Sequence, residues 1–197
     1  MANKPVHGLI LAGGQSSRMG TDKALLPIGG KPLLYQLAAQ VSAFAQSLTV
    51  AIGAPEREAV YREGLDDLAS QANFVTDRIP GCGPLSGLHA GLSAIGEGYT
   101  FVMACDMPRL SVPLLQRLIS AADSEADVIC LSGQPFHALY HSRTVREIRR
   151  SLEAGDYRLM GLLSRLNTFM LELQEDDPLS VFANLNTPDD YKRYMAD

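Results

Sequence analysis

The stretch Leu9-Ile10-Leu11-Ala12-Gly13-Gly14-Gln15-Ser16-Ser17-Arg18-Met19-Gly20-Thr21-Asp22-Lys23 runs from an apolar strand into a glycine-rich turn carrying one arginine and one lysine. Such a turn is built to cradle phosphate. Adjacent glycines let the backbone approach an anion without interference from Cβ, their N–H groups can donate to phosphate oxygens, and the two cations supply countercharge. The spacing excludes two familiar loops. A Walker loop requires G-x-x-x-x-G-K-[ST], and neither Gly13 nor Gly14 is followed at that distance by Gly-Lys; the G-x-G-x-x-G dinucleotide fingerprint is absent as well.

Outward from this loop, short apolar runs alternate with longer amphipathic ones, the pattern of β-α-β units winding a mostly parallel sheet. Strands are expected at Val6 to Leu11, Leu48 to Ile52, Asn73 to Val75, Tyr99 to Ala104 and Asp127 to Leu131. Helical spacing recurs from Leu33 to Phe44, Leu85 to Ile95 and Val112 to Ile119. Gly133-Gln134-Pro135 reads as a turn, after which His137 to Tyr140 returns as an additional, antiparallel strand. Helices over Thr144 to Glu153 and Leu159 to Arg165, a strand over Phe169 to Leu173 and a last helix with Thr187 as N-cap and Pro188 in its first turn complete the reading.

The 197 residues, 46% of them hydrophobic, suit one sizeable core, so residues 1–197 are expected to form a single domain. A formal charge of −5 argues against general affinity for nucleic-acid backbones, so the anion site must be local. Cys82, Cys105 and Cys130 are far apart and contain no C-x-x-C, which implies neither a disulfide framework nor a structural zinc site. No apolar run approaches the ~18 residues of a membrane span. The expectation is a soluble, cytoplasmic protein with reduced thiols.

In an open parallel sheet, ligands bind beyond the carboxyl ends of the strands. The Gly13-Gly14 loop follows the first strand, Asp77 the third and Asp106 the fourth, so all three are expected at one rim. Lys23 and Arg18 carry the charge needed to hold a triphosphate and a pyrophosphate leaving group; a solvated pair on a loop is the alternative. Asp106 ends the buried run Thr100 to Cys105, well placed for Mg²⁺, which takes few protein oxygens and fills its shell with phosphate and water. A turn aspartate before Pro108 is the competing account. Asp77 precedes the glycine-dense Gly81-Cys82-Gly83-Pro84-Leu85-Ser86-Gly87, which suits close approach to a nucleoside. Asn184 and Asn186 alternate along an extended segment and would point the same way.

The first loop, with Gly29-Gly30-Lys31-Pro32-Leu33, Gly83-Pro84-Leu85-Ser86-Gly87, Cys105-Asp106-Met107-Pro108 and Asn184-Leu185-Asn186-Thr187-Pro188 in that order, resembles the molybdenum cofactor guanylyltransferase family of the nucleotidyltransferase superfamily. The resemblance covers nearly the whole chain. It implies a Rossmann-like three-layer α/β/α fold with the mostly parallel sheet of the nucleotide-diphospho-sugar transferase type. It implies transfer of GMP from GTP to molybdenum-molybdopterin with Mg²⁺ and release of pyrophosphate. The implied nucleotide contacts are Leu11, Ala12, Gly13, Gly14, Lys23, Asp77 and Asp106, with Lys23, Arg18 and Asp106 catalytic and Asp106 holding the metal. Asn184 and Asn186 would close the site near metal or acceptor, and a labile acceptor favours a transient delivery or handover partner.

Two other functions compete. A cytidylyltransferase acting on the same cofactor would open with Ala-Ala-Gly, so Gly13, by leaving room for a purine, favours GTP. A non-catalytic nucleotide-binding accessory protein would be expected to lose Lys23 or Asp106, and both are present. Arg143, Arg146, Arg149 and Arg150 share a helix face that could meet an anionic acceptor, but Glu147 and Glu153 can pair with them and leave a solvated helix. His7, His89, His137 and His141 form no metal or triad spacing.

Overall fold

The computed structural model describes residues 5–175 and 177–196. Strands β1 (Val6–Leu11), β2 (Leu48–Gly53), β3 (Ala72–Thr76), β4 (Tyr99–Ala104), β5 (Val128–Leu131), β6 (Gln134–His141) and β7 (Thr168–Leu171) form one seven-stranded sheet in the order β3-β2-β1-β4-β6-β5-β7. The chain winds outward from β1 to β3 and then crosses back to place β4 on the other side of β1. β6 is antiparallel to both β4 and β5; the other neighbours are parallel.

Helices α1 (Leu33–Ser42), α2 (Glu58–Leu65) and α4 (Val112–Ser120) cover one face, packing Leu34, Leu37, Tyr61, Leu65, Leu114 and Leu118 against Ile10, Val50, Ile52, Phe101 and Ile129. On the opposite face, α3 (Pro84–Ala94), α5 (Val145–Glu153) and α6 (Leu159–Leu163) bury Leu85, Leu88, Ile148, Leu152 and Leu162 on Leu9, Ala51, Val102, Cys130 and Tyr140. Neighbouring strand residues such as Leu9 and Ile10 therefore enter different cores, which is why these strands are apolar throughout rather than alternating. The architecture is three-layer α/β/α with a mostly parallel sheet.

The last helix, α7 (Pro188–Ala196), begins as expected: Thr187 Oγ1 accepts from Asp190 N at 3.2 Å, and Asp190 Oδ2 accepts from Thr187 N at 2.8 Å. Some elements differ from expectation. The turn before β6 is Ser132-Gly133, because Leu131 already pairs with Gln134; Pro135 lies inside the strand, next to a register irregularity that spares it a ladder bond. β7 stops at Leu171 and leaves Phe169 and Met170 exposed at the sheet edge. Helix α2 has no counterpart in the sequence reading, since it buries only Tyr61 and Leu65, leaves Val60 exposed, and is otherwise polar or small.

Candidate active site

The ladder itself places the site residues. β1 ends level with β4, Leu11 standing opposite Ala104, and opposite Ala51, two residues short of the end of β2. The pairing then runs one residue past the strands: Ala12 N donates to Ala51 O at 2.8 Å and Cys105 N to Leu11 O at 3.0 Å. Ala12 is thus laid beside the start of the Cys105-Asp106 turn. On the other side Asp77 N donates to Gly53 O at 2.8 Å, which fixes Asp77 beyond the end of β2. Leu185 N donates to Asp106 O at 2.8 Å and brings Asn184 and Asn186 to the same rim from the far end of the chain.

These contacts enclose a cleft of about 610 Å³ lined by Leu11 through Ser16, Lys23, Asp77, Asp106 and Asn184. The three-loop grouping expected from the sequence is therefore present. Lys23 Nζ donates to Asn186 Oδ1 at 2.7 Å and stands 3.8 Å from Asp106 Oδ2. That second separation is a charge contact, too long for a good hydrogen bond. The N–H groups of Gly13, Gly14 and Gln15 meet no protein acceptor among the described residues. Unpaired amides beside an ammonium are what an anionic ligand needs.

Asp77 Oδ1 is a buried acceptor with no hydrogen-bond donor among the described residues. Burial pushes its carboxyl above the usual range, partly offset by the Ser86 hydroxyl and the charge of Arg57. A buried polar atom without a partner costs free energy, so a ligand donor is the natural complement. Asp106 is different. Its carboxylate is 29% exposed, touches Lys23 as a charge, and accepts no hydrogen bond among the described residues. It is free to take a cation. No group of three or more His, Cys, Asp or Glu side chains could hold a metal alone among the described residues, so any ion must bring other oxygens with it. That donor set fits Mg²⁺ arriving with a triphosphate.

Two sequence expectations change on this geometry, and the arginine helix keeps the paired, solvated character its glutamates suggested. Arg18 is exposed and does not line the cleft; the turn is pinned by buried Met19, which directs its neighbour outward. A Cβ on Gly13 would lie 2.9 Å from Gly53 N and Cα, so the missing side chain serves the close approach of two loops instead of opening room for a purine. Gly14 is the open position, with nothing within 4 Å of a Cβ built there. The arginine helix is largely neutralised: Arg149 pairs with Glu153 at 2.8 Å, Arg150 with Glu147 at 3.2 Å, and Arg143 with Asp127 at 2.5 Å.

Cys105 is buried and its thiol is pushed up by that burial, which argues against a role as nucleophile. Reading by motif also passed over Ser16, Asp22, Arg57 and Tyr61. Ser16 sits at φ +50°, a left-handed conformation uncommon for a residue with a Cβ, and its Oγ accepts from Lys23 N at 3.2 Å. Asp22 caps the turn that carries Lys23, its Oδ1 accepting from Ala24 N at 3.1 Å. Asp22 stood within the quoted motif; nothing in sequence marked Arg57 or Tyr61.

Comparison with known proteins shows the family. The MobA-like NTP transferase domain family matches residues 8–169. A probable molybdenum cofactor guanylyltransferase of Natronomonas pharaonis is 34% identical over 94% of this chain and 95% of its own. The molybdenum cofactor guanylyltransferase of Vibrio atlanticus is 31% identical over 94% and 93%. The crystal structure of molybdopterin-guanine dinucleotide biosynthesis protein A from Archaeoglobus fulgidus superposes with a TM-score of 0.80 at 27% identity, covering 97% of each chain. With a family match over most of its length and relatives above 30% identity, this chain belongs to the MobA-like NTP transferase family of nucleotidyltransferases.

Proposed function

We propose that the protein transfers the GMP moiety of GTP to the terminal phosphate of molybdenum-molybdopterin and releases pyrophosphate. The observation that carries this reading is the convergence on one cleft of loop amides unpaired among the described residues, Lys23, and an Asp106 carboxylate that meets Lys23 as a charge but accepts no hydrogen bond among those residues. A phosphate oxygen of the acceptor attacks the α-phosphorus, the α–β anhydride bond breaks, and its electron pair leaves with pyrophosphate. An anionic nucleophile requires no general base, so the absence of a histidine from the cleft lining poses no difficulty. The work left to the protein is positioning and charge neutralisation.

The amides of Gly13, Gly14 and Gln15 hold phosphate oxygens, and Lys23 counters charge as the leaving group departs. Asp106 would hold Mg²⁺, which supplies electrostatic neutralisation of the phosphates when bound. Asp77 Oδ1 supports guanine, whose ring N–H and amino groups can satisfy a buried carboxylate together. The names of the relatives favour GTP in the same direction, while Gly13 no longer bears on the choice. Asn184 and Asn186 close the cleft toward the acceptor.

The test is direct. Purified protein incubated with GTP, Mg²⁺ and molybdenum-loaded molybdopterin should release pyrophosphate and yield the guanine dinucleotide form of the cofactor. Product with CTP in preference to GTP would make it a cytidylyltransferase, and binding of GTP without product would leave an accessory protein.

A further inference from the structure

The nucleotide loop is held from behind by helix α2 and the turn that precedes it. Arg57 Nη1 donates to Gly14 O at 3.0 Å and to Ala12 O at 3.2 Å, and lies 3.4 Å from Tyr61 Oη. Tyr61 is fully buried, and its hydroxyl reaches Asp22 Oδ2 at 2.7 Å with Ala12 O at 3.2 Å. Asp22 Oδ1 in turn caps the turn Lys23–Leu25. A continuous path therefore runs from Arg57 through Tyr61 and Asp22 to Ala24 N inside the lysine turn, while a second branch grips two carbonyls of the loop.

The geometry points to Arg57 as a positioning residue for the nucleotide loop, and this inference rests on the nucleotide-transfer reading of the cleft. In a trans peptide the C=O and N–H point in opposite directions. Ala12 O belongs to the peptide whose N–H is that of Gly13, and Gly14 O to the peptide whose N–H is that of Gln15. Holding both carbonyls on one guanidinium turns both N–H groups away from it, and these are two of the amides that meet no acceptor among the described residues. Arg57 does not line the main cleft, so its influence passes through the loop. A guanidinium is suited to this because one rigid planar group presents several donors in fixed directions, whereas an ammonium is a point charge on a flexible stem. Tyr61 serves the same end by a different route: burial, then the hydrogen bond to Asp22, raise its pKa, so it stays a neutral donor to the carboxylate that caps the lysine turn.

The experiment compares wild type, Arg57→Ala, Arg57→Lys and Tyr61→Phe by GTP titration calorimetry, steady-state kinetics and thermal unfolding. Arg57→Ala is expected to weaken GTP binding and raise KM for GTP about tenfold or more, the loss attached to hydrogen bonds from a charged group. KM for the acceptor should stay within about twofold. Millimolar guanidinium chloride, far below denaturing concentration, should restore part of the binding to Arg57→Ala and none to wild type. Arg57→Lys should fall between, and Tyr61→Phe should lower turnover more than binding because it loosens the Lys23 turn. Arg57→Ala with unchanged GTP affinity would overturn the inference, as would a loss that follows the unfolding midpoint equally in both substrates and resists guanidinium. Failure of wild-type protein to bind GTP would instead overturn the nucleotide reading itself, so the two failures are distinguishable.

Discussion

Lys23 Nζ and Asn186 Oδ1 lie 2.7 Å apart although 163 residues separate them in the chain. The carboxyl-terminal segment reaches across the cleft to orient the ammonium, which also stands 3.8 Å from Asp106. Asn186 can do this without adding charge to an anionic site. A hydrogen bond to a charged group contributes about 1.5–3 kcal/mol. Asn186→Ala should therefore lower kcat/KM about 10- to 100-fold, with an unfolding midpoint near that of wild type; an unchanged kcat/KM would show that Lys23 needs no such partner.

Lys23 and Arg18 should separate cleanly. Lys23 lines the cleft and Arg18 is exposed outside it. Lys23→Ala is expected to cost at least about tenfold more in kcat/KM than Arg18→Ala, a difference of about 1.4 kcal/mol in transition-state stabilisation. Parallel steady-state measurements on the two variants check this, and equal losses would show that Arg18 enters the site when substrate binds.

The two adjacent glycines also make opposite predictions. Alanine at 13 forces its Cβ to within 2.9 Å of the Gly53 backbone, and Gly53 cannot readily give way because its own φ is +77°. Gly13→Ala should destabilise by about 1–3 kcal/mol, or roughly 3–10 °C in unfolding midpoint for a chain of this size. Gly14→Ala meets open space and should leave the midpoint unchanged while weakening nucleotide binding. Thermal unfolding of both variants with and without GTP separates packing from ligand approach.

His137 provides a pH signature. It is buried on β6 between Phe101 and Phe182, with ring centroids 5.4 and 5.7 Å away, and neither ring nitrogen has a hydrogen-bond partner among the described residues. Burial pushes its pKa down to about 4. The unfolded chain, titrating near 6.5, then binds more protons than the folded one between the two values, so stability falls as pH drops through that window. The contribution is on the order of 3 kcal/mol by pH 4. His137→Phe, which keeps an aromatic ring in the slot, should flatten the fall of the unfolding midpoint between about pH 6.5 and 4; an identical slope in both proteins would exclude His137 as its source.

Much of this was legible in sequence because the informative residues sit where chain order and space coincide. Leu11, Asp77 and Asp106 each end or follow a strand, and parallel strands bring their carboxyl ends to one rim whatever the intervening helices do. Apolar runs such as Leu48 to Ile52 announce strands buried on both faces. The supports behind the loop were less visible. Arg57 acts on backbone carbonyls rather than on a motif partner, and Tyr61 is one aromatic residue in a short helix whose other buried side chain is Leu65. Gly13 was legible as a glycine that matters, yet its reason lay in Gly53, a contact between two loops that no spacing rule reveals.

The central claim is that the cleft binds GTP with a divalent cation through Lys23 and Asp106. Titration calorimetry of GTP, CTP, ATP and UTP, with and without Mg²⁺, on wild type, Lys23→Ala and Asp106→Asn tests it most directly. The account predicts selective binding of GTP that tightens with Mg²⁺, weakens in Lys23→Ala, and loses its Mg²⁺ dependence in Asp106→Asn. Equal binding of all four nucleotides, or GTP binding that neither substitution alters, would contradict it.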